Sequence, residues 1–265
     1  MWNMESKSTK KYRFGHTVFR VVSPVPLDED PQLASFAVGN EVEHHHTFRV
    51  VPAEAHVSFS EGESCHTSVR DGGETLVYVK DMERLKGYAL SLLLSHHRAY
   101  DILIERHALV LHASYVVRDG RALLFPAPSG TGKSTQAHFW EKERGCTIIN
   151  EDRVILLEAN GVWYAAGCWA MGGARITANV TVPVDALVLL SQGSENRVNP
   201  IRPSEALRRL IPQCAYSTQN GAMRQGVISV LCDLIPAVHV VSYACINHPS
   251  SVAYLENELW KKRNG

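Results

Sequence analysis

The stretch LLFPAPSGTGKSTQAHFW, residues 123–140, decides how this chain is read. An apolar run, a glycine-bearing turn and a helix-forming run follow one another without a break. Within it, residues 127–134 read APSGTGKS, which fits the phosphate-loop pattern G-x-x-x-x-G-K-[ST] except that Ala127 stands where the first glycine is usual. That position is the least exacting, because the loop can begin with a small residue of negative φ. The remaining glycines let successive backbone N–H groups turn inward on phosphate oxygens, and the positive end of the following helix adds to the attraction. Ser129, Gly130, Thr131, Gly132, Lys133, Ser134 and Thr135 are therefore expected to bind the phosphates of a nucleotide. Lys133 would bridge the β- and γ-phosphates, and the Ser134 hydroxyl would bind magnesium as Mg²⁺.

A loop of this kind points to a nucleotide and leaves the chemistry open. The strand CTIIN, residues 146–150, ends in Glu151 and Asp152, with room for a single helix between Lys133 and that strand. The short interval predicts that this strand lies beside the loop's own strand. Its acids would then emerge at the carboxyl end of the sheet, where ligands of open α/β sheets sit. A carboxylate there can ligate the metal or accept a proton from an attacking hydroxyl, so Ser134, Glu151 and Asp152 form the expected metal set. Upstream, His112 interrupts the apolar strand ALVLHASYVV, residues 108–117, which should pair with the strand feeding the loop. By pattern alone it could be a hydrogen-bonded core histidine or a site residue.

These separated elements, H-x-S, SGTGKST and an acidic pair, resemble two related groups. Phosphoenolpyruvate carboxykinases carry a histidine-and-serine strand, an SGTGKTT loop and a G-D-D segment. HPr kinase/phosphorylases carry a similar histidine, a G-x-SG-x-GKS loop and a D-D pair. Residues 112–154 match both in order and rough spacing, with Glu151 replacing an aspartate of both families. The resemblance implies an α/β fold with a phosphoenolpyruvate-carboxykinase-like P-loop core and a mixed sheet. It implies His112 as a metal or phosphate-site residue, Lys133 and Ser134 on Mg·ATP, and Glu151 and Asp152 sharing metal binding and base duty. Carboxykinases are much longer and need a basic pocket for a dicarboxylate, and residues 1–100 hold no obvious Arg/Lys cluster of that kind. The chain looks most like the small HPr-kinase-like proteins proposed as serine kinases. A hydroxyl-bearing acceptor, with peptides and proteins among the candidates, is the implied partner. ATP hydrolysis without an acceptor, or nucleotide sensing without phosphotransfer, is the alternative.

The rest of the chain frames this core. Residues 1–100 read as a β-rich region ending in a helix, with TVFRVVS, HTFRVVP, AHVSFS and TLVYVK as short strand-forming runs. Residues 82–105 change to helical period, as one long helix or two short ones. Residues 101–265 alternate strands and helices and form the expected ATP-binding catalytic domain. Asp119-Gly120 and Asn160-Gly161 are hairpin turns, Gly145 a helix C-cap, and Ser204 a candidate helix N-cap. Residues 166–180 form a second glycine-bearing loop in which Gly172, Gly173, Arg175 and Asn179 could close over the acceptor. The triplet His44 to His46 suggests a metal by composition, but adjacent strand residues point to opposite faces and cannot all meet one ion, so it reads as exposed, as does the pair His96-His97 at the end of a helical run. Arg197 and Arg202 read as surface residues. Lys+Arg and Asp+Glu are equal at 27 each, so no net field draws the chain to nucleic acid or an anionic membrane. No apolar run reaches the ~20 residues of a membrane span, and the start has no apolar signal core, so a cytoplasmic location is expected. The six scattered cysteines, with no CxxC pair, read as reduced thiols. The N-terminal strands could hold the acceptor or form a homo-oligomer contact, and no motif there chooses.

Overall fold

Strand-forming runs become strands through most of the computed structural model, which describes residues 8–25, 27, 31–53, 66–81 and 89–260. The chain divides into two compact units, Met1–Ile102 and Leu103–Gly265. In the first, β1 (Ser8–Phe14), β2 (Thr17–Ser23), β3 (Ala37–Val38), β4 (His46–Pro52), β5 (His66–Asp71) and β6 (Glu74–Val79) form a mixed sheet in the order β3-β1-β2-β4-β6-β5. Phe14, Phe19, Phe36 and Phe48 fill its core without exposure, with Phe14 and Phe36 ring centroids 4.8 Å apart. The run AHVSFS lies outside the described residues.

Two histidine expectations are corrected here. His46 is buried in β4, its Nε2 2.8 Å from Thr75 Oγ1. The expected helical stretch is two short helices, α1 (Leu90–His96) and α2 (Ala99–Glu105); residues 82–88 are outside the described set. Between them Arg98 takes a φ of 63°, in the left-handed region. His97 is buried, not exposed, and burial first, then the neighbouring His66, lowers its pKa to about 3.

The second unit contains β7 (Ala108–Arg118), β8 (Arg121–Pro126), α3 (Lys133–Arg144), β9 (Thr147–Asn150), β10 (Arg153–Ala159), β11 (Val162–Ala166), β12 (Thr181–Gln192), β13 (Arg197–Pro200), α4 (Pro203–Leu210), β14 (Cys214–Ala215), α5 (Gly221–Ala237), β15 (His239–Cys245) and α6 (Ser250–Trp260). The main order is β11-β10-β7-β8-β12-β15-β13, and β11 also pairs with β12, so five strands close on themselves. β12 is parallel to both β8 and β15, whereas β7 and β10 run antiparallel, which makes the sheet mixed. The β7–β8 hairpin turns at Asp119 and Gly120 with φ of 48° and 71°. The β10–β11 hairpin turns at Asn160 and Gly161 with φ of 54° and 79°. Two positive angles in succession match the right-handed twist of a hairpin, which is why these residue types occur there.

Alternation along the strands distributes the core. Ala122 and Leu124 of β8 join a cluster with Val227, Leu231 and Leu210 of α5 and α4. Leu123 and Phe125, pointing the other way, join Trp140 of α3 and Val252, Leu255 and Leu259 of α6. Trp140 is fully buried, its ring 6.0 Å from Trp260, and the Arg118 guanidinium lies 4.7 Å over the Trp260 ring. Gly145, with φ 63°, ends α3 by donating to Glu141 O at 2.9 Å, the C-cap its sequence predicts. Ser204 does not cap α4: Arg202 occupies the N-cap, Pro203 takes the first turn, and no side chain bonds there. The five described cysteines are free thiols; Cys65 lies outside the described residues. Among the described residues no helix is long and apolar enough to cross a membrane.

One topological expectation fails. β9 pairs with β7, through Val116–Ile148 and Val117–Thr147, and not with β8. The second edge of β8 is occupied by β12, so the acidic strand takes the far side of β7.

Because Trp140 anchors the helix that begins with Lys133, Trp140→Ala should destabilise the protein by about 3–5 kcal/mol. Urea denaturation measures this, and a loss below about 1 kcal/mol would contradict the described core.

Candidate functional site

The turn between β8 and α3 explains its own composition. Ala127 is buried and is not among the residues of positive φ, so the first position of the pattern needs no glycine. Gly130 and Gly132 have φ of 77° and 107°, and a Cβ on either would meet nothing within 4 Å. Backbone conformation, rather than space, is what demands glycine at both. Pro128, Ser129, Ser134 and Thr135 are exposed, while Lys133 is buried. The Lys133 ammonium folds back on its own loop, donating to Ala127 O at 2.9 Å and Pro128 O at 3.1 Å. Burial lowers its pKa, and the charge of Asp152 works in the opposite direction.

The acidic turn after β9 is built by residues that sequence reading passed over. Asn150, fully buried, accepts from the backbone N–H of Asp152 at 2.8 Å and of Arg153 at 2.9 Å, and donates to Ala170 O at 3.0 Å. From β7, Ser114 Oγ donates to Glu151 O at 2.8 Å and Ala113 N–H donates to Asp152 O at 3.1 Å. The two acidic side chains then diverge. Asp152 Oδ1 lies 3.1 Å from His112 Nε2, also on β7. The His112 hydrogen bond is the main cause that holds the Asp152 carboxyl below its usual range, partly opposed by burial and helped by Arg153.

Glu151 turns instead toward α3, where His138 Nε2 approaches its Oε1 to 2.8 Å. That approach meets the distance of an ion pair but not the directionality of a hydrogen bond. Oε1 is one of the buried atoms without a hydrogen-bond partner among the described residues. His138 was not foreseen. The available signal was its position four residues after Ser134, which puts both on one face of α3.

The second glycine-bearing loop packs onto this turn. Thr177 bridges Asn150, and a Cβ added to Gly172 would stand 3.1 Å from Asp152 Cβ. Gly172 therefore sits against the acid, whereas Gly173 has open space around it. Two cavities open on the glycine turn from the β12 side. One, of about 350 Å³, is lined by Gly130, Thr131, Thr135, Gln136, Gly193 and Asn247 among others. The other, of about 530 Å³, reaches Pro128, Ser129, Ser191 and Arg209. Asp152 and His112 line neither, so the acids flank the loop from the β7 side while the open volume lies toward β12.

The fold and this turn define an α/β protein with a glycine-rich strand–turn–helix beside a histidine–aspartate pair. A family model described as SynChlorMet cassette protein ScmC matches residues 77–228, and the chain belongs to that family. No curated protein matches the chain. Among solved structures, the Hpr(Ser) kinase/phosphatase from Coxiella burnetii is similar at 14% identity, covering 59% of this chain and 99% of that chain, with a TM-score of 0.33. At that score the likeness carries nothing further.

The His112–Asp152 contact has a measurable consequence. Because the folded carboxyl is held low, it contributes stability above the ordinary carboxylate pKa, and this is lost as pH falls through the lowered value. In His112→Ala, carbon NMR titration should show Asp152 moving up toward the ordinary value. An unchanged Asp152 titration would show that His112 is not the cause. Asn150→Ala should cost about 1–3 kcal/mol by stranding buried N–H groups of the acidic turn, as read by urea denaturation.

Proposed function

We propose that this chain is an ATP- and Mg²⁺-dependent kinase that transfers the γ-phosphate to a hydroxyl acceptor, with the acceptor on a peptide or protein. In this reading residues 101–265 are an HPr-kinase-like catalytic domain with a phosphoenolpyruvate-carboxykinase-like P-loop core, following a β-rich region at 1–100. One observation carries it: the helix that begins at the glycine turn touches the acidic turn, His138 Nε2 lying 2.8 Å from Glu151 Oε1, and the next residue, Asp152, is itself held by His112. A nucleotide sensor needs the first element; a hydroxyl-activating site needs both.

The residues divide the work. Ser129, Gly130, Thr131, Gly132 and Thr135 would present the turn to the phosphates, and Lys133 would leave its loop carbonyls for the phosphate oxygens. The donor set fits Mg²⁺ at Glu151: its buried carboxylate oxygen is a hard ligand met only by the His138 ring, which would give way to the ion. Ser134 is exposed on the same helical face as His138, the residue that Glu151 touches. No three His, Cys, Asp or Glu converge into a metal cage among the described residues. That suits an ion which keeps waters and takes phosphate oxygens as ligands. Bound there, the ion would supply charge neutralisation of the phosphates. Asp152, oriented by His112 and kept ionised, would orient the acceptor hydroxyl and accept its proton. The acceptor O–P bond forms as the bond from the γ-phosphorus to the β–γ bridging oxygen breaks, and ADP leaves with that electron pair.

The family is named for a cassette, so proteins encoded beside this chain are the first acceptors to try. A site that reads a soluble peptide would work in the cytoplasm, and a second copy of the chain could present its N-terminal sheet to the acceptor.

Incubation with Mg·ATP and panels of serine, small alcohols and hydroxyl-bearing peptides tests the reading. Acceptor-dependent ADP is expected. ADP without acceptor dependence would mean an ATPase, and binding without turnover a sensor. Lys133→Ala should lower turnover at least ~100-fold. Asp152→Asn should retain nucleotide affinity and lose ~100-fold or more in transfer; unchanged turnover would remove Asp152 from the mechanism.

A further inference from the structure

Arg209 is the charged residue of the cavity that opens at the first residues of the glycine turn. That cavity is lined by loop residues 128–131, by residues 190–192 at the end of β12, and by Arg209 of α4. The guanidinium is half-buried and tied to neutral acceptors. Its Nη1 donates to Ser242 Oγ at 2.8 Å, and its Nη2 to Leu189 O at 3.1 Å and Leu190 O at 3.2 Å. Among the described residues no carboxylate forms an ion pair with it, although the charge of Glu205, one turn earlier on α4, acts on it without contact, and Nε–H has no acceptor. A half-desolvated arginine held rigid by uncharged groups, with a donor to spare, is a site prepared for an anion.

The geometry of the loop says which anion. Its two cavities share Gly130 and Thr131. The one toward Thr135 and Gln136 of α3 has about 350 Å³, room for a nucleoside. The one toward Pro128 and Ser129 holds Arg209. Lys133 Nζ lies at this same end, on Ala127 O and Pro128 O. A row of phosphates on the turn amides, with its nucleoside in the first cavity, points its outer end at the second.

We infer that Arg209 binds the outermost phosphoryl group of the nucleotide from the β12 side, opposite the Asp152 approach from β7. The inference rests on the nucleotide reading given above. Arg209 neutralises charge on the three peripheral oxygens of the phosphoryl group while the acceptor oxygen bonds to phosphorus and the bond to the β–γ bridging oxygen breaks. It neither takes nor gives a proton. A terminal phosphate bound this way distinguishes a triphosphate from a diphosphate.

Calorimetric titration of the full-length protein with Mg²⁺ and either ADP or a non-hydrolysable ATP analogue tests this. Wild type should bind the triphosphate more tightly, and Arg209→Gln should lose at least ~10-fold of that preference while its ADP affinity changes less than about twofold. Arg209→Lys, which keeps the charge without the fork, should fall between them. Since Arg209 also braces β12, a wild-type measurement runs beside the variants: its Nε–H nitrogen NMR signal should shift with the triphosphate analogue and not with ADP. A full triphosphate preference in both variants, or an Nε–H signal indifferent to the analogue, overturns the role of Arg209 and leaves the nucleotide site standing. If wild type binds neither nucleotide, the nucleotide reading fails and this inference with it.

Discussion

Strand β7 is the constraint on which the rest depends. A strand has two hydrogen-bonding edges, and here they serve different purposes. One edge pairs with β8 and so fixes where the glycine turn begins; the other receives β9 and β10 and so fixes where the acidic turn lies. Side chains two apart share a face of a strand, which places His112 and Ser114 together. Ser114 holds the backbone of Glu151 and His112 holds the side chain of Asp152. The spacing H-x-S is therefore a mechanical requirement: one residue locks the turn and the other aims its acid.

The acidic turn illustrates how a site is kept rigid without regular structure. Glu151 and Asp152 lie between two strands, where the ladder cannot hold their backbone. Asn150 replaces it, accepting two N–H groups with one carbonyl oxygen and reaching the second glycine loop with its amide nitrogen. Consecutive side chains leaving this turn point apart, so two carboxylates adjacent in sequence meet different partners. That separation permits distinct roles for each, and avoids the mutual repulsion of a shared position.

Much of this was legible in the sequence, for reasons that can be named. The turn pairs Asp119-Gly120 and Asn160-Gly161 require φ values that few residues adopt, so their identities fixed two hairpins. The C-cap Gly145 was likewise local. What escaped was non-local. The interval between Lys133 and Glu151 limits the connection to one helix but does not say which neighbour the next strand selects, and β12 decided that by occupying β8. His97 is buried at the break between α1 and α2, which a helical period read over residues 82–105 does not locate. His138 and Asn150 carry no motif, and their importance comes from what they touch. Arg209 lies far along the chain on a helix whose face toward the loop cannot be read before β12 and β15 are in place.

The proposed phosphotransfer requires the glycine turn and the acidic turn to address the same phosphates. A crystal structure of the protein with Mg²⁺ and a non-hydrolysable ATP analogue tests it most directly. The outermost phosphorus is expected about 5–6 Å from an Asp152 carboxylate oxygen, with space for one hydroxyl between them. A nucleotide seated on the turn with that phosphorus beyond about 10 Å, farther than one hydroxyl can bridge, would contradict it.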